Sequence, residues 1–392
     1  PGDPEGLPTF ADGFERRCQA ADNDIRVAEE ITKLLEKKFA KAFSSLQELE
    51  EHFKDKAVVS ELIVLTKTSG GVEKYRFIVN FKKSGISRSS RKSERSLLPR
   101  SLDVVWDALD MMAAAQAMGK QGFPAHLVLD FSDAFFQIPT RAEEQRFAVV
   151  KFRDQWVLFV RAPQGSRGAP LLWARVCALI CRLGVSLCDA RFVKVNSYVD
   201  DPSMSFVGTE EENSRNKAKV IAVLAALGYD LAFSKAQSSA TESPITWTSA
   251  RLQVDDEQEA ITITIKDEIL AELTDNVNGH LKHNIMKVAD LRTLAGRATC
   301  VATLIHAWRP FVAMLWAPIF NSRAHCRKKP GFLWTKAVAV PMMWLRSFLS
   351  GAAGTIKRVY RLCDYLGEGV TTEIICDASP LGLGACLVED GK

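Results

Sequence analysis

Residues 125–139 read AHLVLDFSDAFFQIP and residues 192–208 read FVKVNSYVDDPSMSFVG, and the fold turns on how these two stretches pair. AHLVLDF is a short apolar run, which predicts a buried strand ending near Asp130. FVKVNSYV and SMSFVG predict strands either side of Asp200-Asp201-Pro202. Between the stretches, Pro170 opens an apolar helical run, LLWARVCALICRL, with Gly184 as a natural stop. After them, Thr209 and Glu212 form a capping box. The helix it opens carries Val220, Ile221, Val223, Leu224 and Leu227 and should stop at Gly228, with YDLAF as a last short strand. FAVVKF and WVLFVRA read as an inserted hairpin around Arg153-Asp154-Gln155. Without that insertion the order is β-α-β-β-α-β, the split ferredoxin-like unit. In it the first two strands run parallel and the third returns between them. The end of the first strand, with Asp130, then lies beside the turn carrying Asp200 and Asp201.

Working outward, residues 58–81 read as two strands, VVSELIVLT and KYRFIVNF, around the turn KTSGGVE. A basic stretch follows: Lys82, Lys83, Arg88, Arg91, Lys92, Arg95 and Arg100 against one acid, Glu94. This is either a solvated loop or a phosphate-binding one. Residues 101–118 read as a helix with Ser101 as N-cap. Residues 1–25 are polar and expected to be loose, and residues 26–54 show a charged helical pattern without a catalytic motif. Beyond residue 235, ITWTSARLQV and AITITI read as strands, and 266–350 as mostly helical. TTEIICDASPLGLGACLVEDGK starts a new β-rich unit.

The 392 residues suffice for two or more domains with real cores. An apolar content of 47% and a charged content of 25% are those of an ordinary globular protein. A net charge of +4 neither demands nor excludes nucleic acid. The nine cysteines form no Cys-x-x-Cys pair, so a zinc site is not expected, and Cys177, Cys181 and Cys188 read as small core residues. Free thiols point to an intracellular compartment, cytoplasm or nucleus alike. The start, PGDPEGLPTF, is not a signal peptide, and no apolar run approaches membrane-spanning length, so no membrane partner is expected. The initial Pro and the abrupt end at Lys392 suggest a fragment of something larger.

Three carboxylates on one sheet edge repel each other unless a cation lies between them. Mg²⁺ takes oxygen ligands and keeps positions open for phosphates. Two such ions can activate a 3′-hydroxyl and stabilise leaving pyrophosphate. Asp255-Asp256, by contrast, reads as a solvated turn.

At this point the residues resemble a family. LVLDFSDAFFQIP, APQGSRGAP, SYVDD and LGYDLAFSKAQ are similar to the ordered palm motifs of reverse transcriptases, and KYRFIVNFKKSG resembles their fingers strand. Retroviruses and long-terminal-repeat-type retrotransposons are the nearest relatives by these motifs. CDASPLGLGACL resembles the opening of the ribonuclease H domain that follows in such polyproteins, and LRTLAGRATCVATLIHAWRPFVAMLW the segment connecting the two. The resemblance implies an α+β right-hand polymerase with fingers, a ferredoxin-like palm and a thumb or connection, followed by a truncated ribonuclease-H-like α/β unit. Its expected divisions are 1–54, an N-terminal segment; 55–265, fingers and palm; 266–365, thumb and connection; and 366–392, the start of the ribonuclease-H-like unit.

It also implies roles. Asp130, Asp200 and the Phe131 carbonyl would bind two Mg²⁺ (Mn²⁺ as substitute), with Asp201 in support. Lys67 and Arg76 would hold the triphosphate. Gln164, Gly165 and Tyr198 would line the nucleotide and template site, and Lys235 is either a proton donor to pyrophosphate or a surface lysine. Phe135 would lie under the incoming sugar and exclude a 2′-hydroxyl, which argues for dNTPs and against an RNA polymerase. Asp377 would be the first ribonuclease H ligand. With the other ligands of that set absent, no ribonuclease H activity is expected, and since a partial sheet cannot bury enough apolar surface to offset the entropy of ordering, residues 371–392 are expected to be poorly ordered. The implied function is RNA-directed DNA synthesis on an RNA or DNA template with primer and dNTPs. Oligomeric state leaves no mark on the sequence. Departures from the pattern are Pro202 after the Asp pair, Asn80 where an acid is usual, and Ala169 for a commoner serine. They keep alive a rival, a catalytically silent nucleic-acid-binding remnant.

Overall fold

The computed structural model describes residues 21–69, 72–90, 94, 97–120, 122–239, 244–305, 308–368, 372–379 and 382–389. Helix α1 (Ile25–Glu36) begins where the Asp24 carboxylate caps the Arg26 N–H, and it buries Val27, Ile31 and Leu34 along one stripe. Strand β1 (Ala40–Phe43) and helix α2 (Leu46–Phe53) follow, so the charged 26–54 pattern is two helices with a strand between them. Next come β2 (Val59–Ser60), β3 (Leu62–Ser69) and β4 (Val72–Val79). The β3–β4 pairing runs in register from Leu62↔Val79 to Ser69↔Val72. Both strands therefore reach into KTSGGVE, and the turn is tighter than the sequence pattern suggested.

Helix α3 (Ser101–Ala117) starts at Ser101 itself, which is not the N-cap. Its hydroxyl is turned inward, 2.7 Å from Thr248 Oγ1, while the Asp103 carboxylate accepts the Arg100 N–H at 2.6 Å. Strand β5 (Phe123–Val128) leads to a 3₁₀ turn, Ala134–Gln137, and then to the hairpin β6 (Val149–Phe152) and β7 (Gln155–Phe159). These join β1 and β2 in a sheet of order β1-β7-β6-β2.

Helix α4 (Ala169–Val185) runs through Gly184 instead of stopping there. Gly184 faces Val220 and Leu224 of the following helix, where a Cβ would make ordinary contacts of 3.4–3.7 Å. Strands β8 (Val193–Tyr198) and β9 (Asp201–Gly208) precede α5 (Glu210–Ala226), whose Thr209–Glu212 capping box is formed in both directions at 2.9 and 3.3 Å. The expected last strand moves. Leu231 of YDLAF makes only an isolated bridge to Phe131, and the paired strand is β10 (Gln237–Ser238). The slack between the two pairings is taken up by a 3₁₀ turn at Phe233–Lys235.

The central sheet is ordered β10-β5-β9-β8, with β9 antiparallel to both β5 and β8. That is the ferredoxin-like order, and alternation along β5 assigns its two faces. Leu127 and Leu129 join Met204, Phe206, Trp173, Val220 and Leu224 under α4 and α5. Val128 and Val207 join the core that α3 shares with the C-terminal helices. Cys177 and Cys181 are buried in α4, and Cys188 is half-buried.

ITWTSARLQV is two strands, not one: β11 (Ile245–Trp247) and β12 (Ala250–Asp255) turn at Thr248 and Ser249, both at positive φ. β13 (Ala260–Ile265) continues this sheet after the Asp255-Asp256 turn. Helix α6 (Asp267–Leu281), β14 (Ile285–Lys287), α7 (Val288–Leu304), α8 (Arg309–Phe320), β15 (Phe332–Trp334) and α9 (Ala339–Leu349) complete the helical part. β16 (Arg358–Arg361) then returns to pair with β13. In the tail, the described residues form two paired antiparallel strands, β17 (Thr372–Ser379) and β18 (Gly382–Glu389). The ladder satisfies itself locally, while Ile374, Ile375 and Leu387 stay exposed. Among the described residues no helix is long and apolar enough to cross a membrane.

His126 on β5 is fully buried, with Nδ1 3.0 Å from Ser205 Oγ. Burial, helped by the Lys217 charge, pushes its pKa down to about 4. The unfolded chain binds a proton near pH 6.5, so His126 leaves stability intact above that pH and removes it as the pH falls toward 4. The expected loss is about 3 kcal/mol at about 1.4 kcal/mol per unit. Urea unfolding at pH 7 and pH 4.5 should show a steeper decline in wild type than in His126→Gln. Parallel declines would contradict this.

Candidate active site

Asp130 lies just beyond β5, bracketed by backbone bonds on both sides. The Leu129 N–H donates to the Pro202 carbonyl at 3.1 Å, the Ala232 N–H to the Asp130 carbonyl at 2.8 Å, and the Ser132 N–H to the Asp230 carbonyl at 2.9 Å. These bonds leave the Phe131 carbonyl turned away from the Leu231 strand, toward the β8–β9 side. The last rung of β8–β9 is Tyr198↔Asp201, so Val199 and Asp200 form a two-residue turn. Val199 adopts φ 57°, a conformation that strains a β-branched residue. Pro202 faces Ser197 one rung in from this turn.

The fold brings the three acids within electrostatic reach of one another. Burial raises the pKa of Asp200, and Asp130 raises it further, against the charges of Arg76 and Lys235. Asp201 is pushed up to about 7 by burial, then by Asp130 and Asp200, with only Lys266 opposing. Among the described residues, no group of three or more His, Cys, Asp or Glu side chains is gathered closely enough to enclose a metal ion. Mg²⁺ is commonly held by one or two carboxylates plus substrate phosphates, so the donor set fits that ion without a closed cage.

Lys235 donates to Asp130 Oδ2 at 2.6 Å, with the lysine largely exposed. Such an exposed pair exchanges easily. Arg76 is on β4 opposite Leu65, exposed and close enough to act on Asp200. Lys67 is on β3 opposite Lys74, but its side chain lies outside the described residues, as do Arg91, Lys92 and Arg95. Gln164 and Gly165 seat on the end of β4: the Val79 N–H donates to the Gln164 carbonyl at 2.9 Å, and Gly165 adopts φ 108° against Val79. Phe135 is half-buried at the edge of the α4–α5 core. Phe136 is the core ring, buried and stacked on Phe39 and Phe159. Tyr198 is exposed and meets Trp247 edge-on. Asp377 is not brought to this cluster; it is on the β17–β18 hairpin, exposed and opposite Gly384.

The sequence reading missed three supports. Trp247, buried, donates from Nε1 to the Asp201 carbonyl at 2.8 Å and so holds the acidic turn. Gln237 clamps the Thr246 backbone through two bonds of 2.8 and 3.1 Å, joining β10 to β11. Lys37 on the N-terminal side pairs with Asp133 at 2.5 Å. Nothing local marks the Trp247 and Lys37 contacts, whose partners lie 46 and 96 residues away.

The sequence matches no protein-family model and no curated protein. The fold is similar to that of foamy viral protease-reverse transcriptase. In its complex with double-stranded DNA the TM-score is 0.56 at 14% identity, covering 100% of this chain and 67% of that one. The dRH form with double-stranded DNA gives 0.54 at 14% identity, covering 94% and 53%. The complex with an RNA/DNA hybrid gives 0.50 at 12% identity, covering 86% and 38%. This chain thus spans between about a third and two thirds of those proteins. At these identities the likeness establishes a reverse-transcriptase-like fold of mixed helix and sheet.

Proposed function

We propose that the chain is the polymerase part of a reverse transcriptase from a retrovirus-like, long-terminal-repeat-type element, extending a primer with dNTPs on an RNA or DNA template. The observation that carries this reading is the convergence of Asp130, Asp200 and Asp201 at one edge of a ferredoxin-like sheet, where their mutual repulsion calls for cations. In this reading residues 55–265 are fingers and palm, 266–365 thumb and connection, and 366–392 the opening of a ribonuclease-H-like unit.

Asp130 and Asp200, with the Phe131 carbonyl, would hold two Mg²⁺ ions, and Asp201 would support them. When bound, the metals supply activation of the primer hydroxyl and charge stabilisation of pyrophosphate. The chain's own groups do the rest. Arg76 and Lys67 grip the triphosphate from the β3–β4 hairpin. Gln164 and Gly165, held on β4, meet the base pair beside Tyr198. Lys235, exposed and paired with Asp130, would supply the proton to the leaving group. Phe135 bars the 2′-hydroxyl.

Primer extension on an RNA template with Mg²⁺ and dNTPs tests the proposal directly. Template-dependent extension is expected. Template binding without extension would return the chain to a silent nucleic-acid-binding remnant. Phe135→Val should admit ribonucleotides, because it removes the ring that meets the 2′-hydroxyl, and the ratio of rNTP to dNTP incorporation should rise by at least about tenfold. A constant ratio would make Phe135 a core residue only.

A further inference from the structure

We infer that Lys37 and Phe39, on the link between α1 and β1, are positioning residues for Phe135 and thereby tune sugar discrimination; this rests on the reading of Phe135 as the ring beneath the incoming sugar. Phe135 belongs to the 3₁₀ turn Ala134–Gln137. The N-terminal segment holds the residue that caps this turn, Asp133, and the residue after Phe135, Phe136. Asp133, at φ 50°, accepts from Lys37 Nζ at 2.5 Å. The Phe136 ring lies parallel to Phe39, with centroids 5.5 Å apart and 5° between planes, and is backed by Phe159 at 6.2 Å.

The geometry makes these two grips act together. Phe136 packs into the core shared with the N-terminal segment while Phe135 borders the α4–α5 core, so the two rings project to different sides of the turn. The grips are themselves anchored. The Lys37 N–H donates to the Lys33 carbonyl and the Phe39 N–H to the Leu34 carbonyl, both at 2.9 Å, and the Phe39 carbonyl accepts from the Val160 N–H at 3.0 Å. Lys37 also feels the charges of Asp230 and Glu30, and Asp230 is the residue whose carbonyl accepts the Ser132 N–H. The loop carrying Asp130 and Phe135 is thus fastened to a helix that contributes no group to the chemistry. Loosening either grip lets the 3₁₀ turn rotate, and a ring that excludes by position loses part of its exclusion.

The test compares kcat/KM for a dNTP and the matching rNTP on a DNA-primed RNA template with Mg²⁺, in wild type, Lys37→Met, Phe39→Leu and the double variant. Lys37→Arg keeps the cation and Lys41→Met serves as an exposed control on β1. The rNTP-to-dNTP ratio should rise about threefold in Lys37→Met, within the range an exposed ion pair spans. In the double variant, which also loosens an aromatic stack, it should rise about tenfold. Lys37→Arg and Lys41→Met should leave it unchanged. A purely structural tie would lower the unfolding midpoint with no change in the ratio, and that result overturns the inference. If Phe135→Val itself leaves the ratio unchanged, or wild type extends no primer, the underlying reading fails and the inference with it. If Phe135→Val raises the ratio and the double variant does not, only the inference fails.

Discussion

In the polymerase reading, Asp200→Asn should abolish primer extension and leave template binding nearly intact. Asn keeps the size of the side chain and removes one negative charge from a cluster already crowded with them. Burial and Asp130 both raise the pKa of Asp200, so the folded chain loses a repulsion, not a support, when that charge goes. The unfolding midpoint should therefore be unchanged or slightly higher. Catalysis should suffer far more, since metal positioning supplies several kcal/mol of transition-state stabilisation, a loss of at least about a thousandfold in rate. Single-turnover extension and fluorescence anisotropy of a labelled primer-template separate the two effects. A variant with near-normal turnover would end the two-metal assignment, and equal losses of binding and rate would point to misfolding of the β8–β9 turn.

Gly165→Ala is the second large effect, and it is structural in origin. A Cβ at this position would lie 2.2 Å from the Val79 carbonyl oxygen and 3.0 Å from Ile78 Cγ2, and φ is +108°. Neither the backbone oxygen nor the conformation can yield cheaply. The loop must lift from β4, which stretches the 2.9 Å bond from the Val79 N–H to the Gln164 carbonyl. We expect a stability loss of about 2–4 kcal/mol by urea unfolding, from strain and the broken bond together. In the polymerase reading, the KM for dNTP should rise about tenfold or more, because Gln164 and Arg76 share the ground this loop stands on. A variant with wild-type stability would show that the loop is not seated on β4.

Much of the central unit was legible in the residues. The β-α-β-β-α-β order follows from short-range signals: apolar runs of strand length, a Pro helix start, a capping box, and Asp-rich turns. Each is decided within a few residues, and the ferredoxin-like sheet order then leaves little choice about which strands meet. The nearness of Asp130 to Asp200 and Asp201 was a consequence of that order, and the electrostatic coupling among them accords with it.

Other elements yielded only to the packed molecule. Gly184 has the chemistry of a helix stop, yet the helix runs one residue further, to Val185, with Gly184 facing Val220. YDLAF has the composition of a strand, but it falls beyond the end of β5, so only Leu231 can pair and the ladder resumes at Gln237. Ser101 has the chemistry of a cap and instead meets Thr248, a partner 147 residues away. The same holds for the supports of the acidic turn. What the sequence by itself determined was the kind of each element and the acids the topology gathers, because periodicity, breakers and capping are local properties of the chain. Only the tertiary structure decided that Trp247 holds the Asp201 carbonyl and that Lys37 holds Asp133, because a hydrogen bond or ion pair between remote residues depends on register and packing that no local pattern encodes.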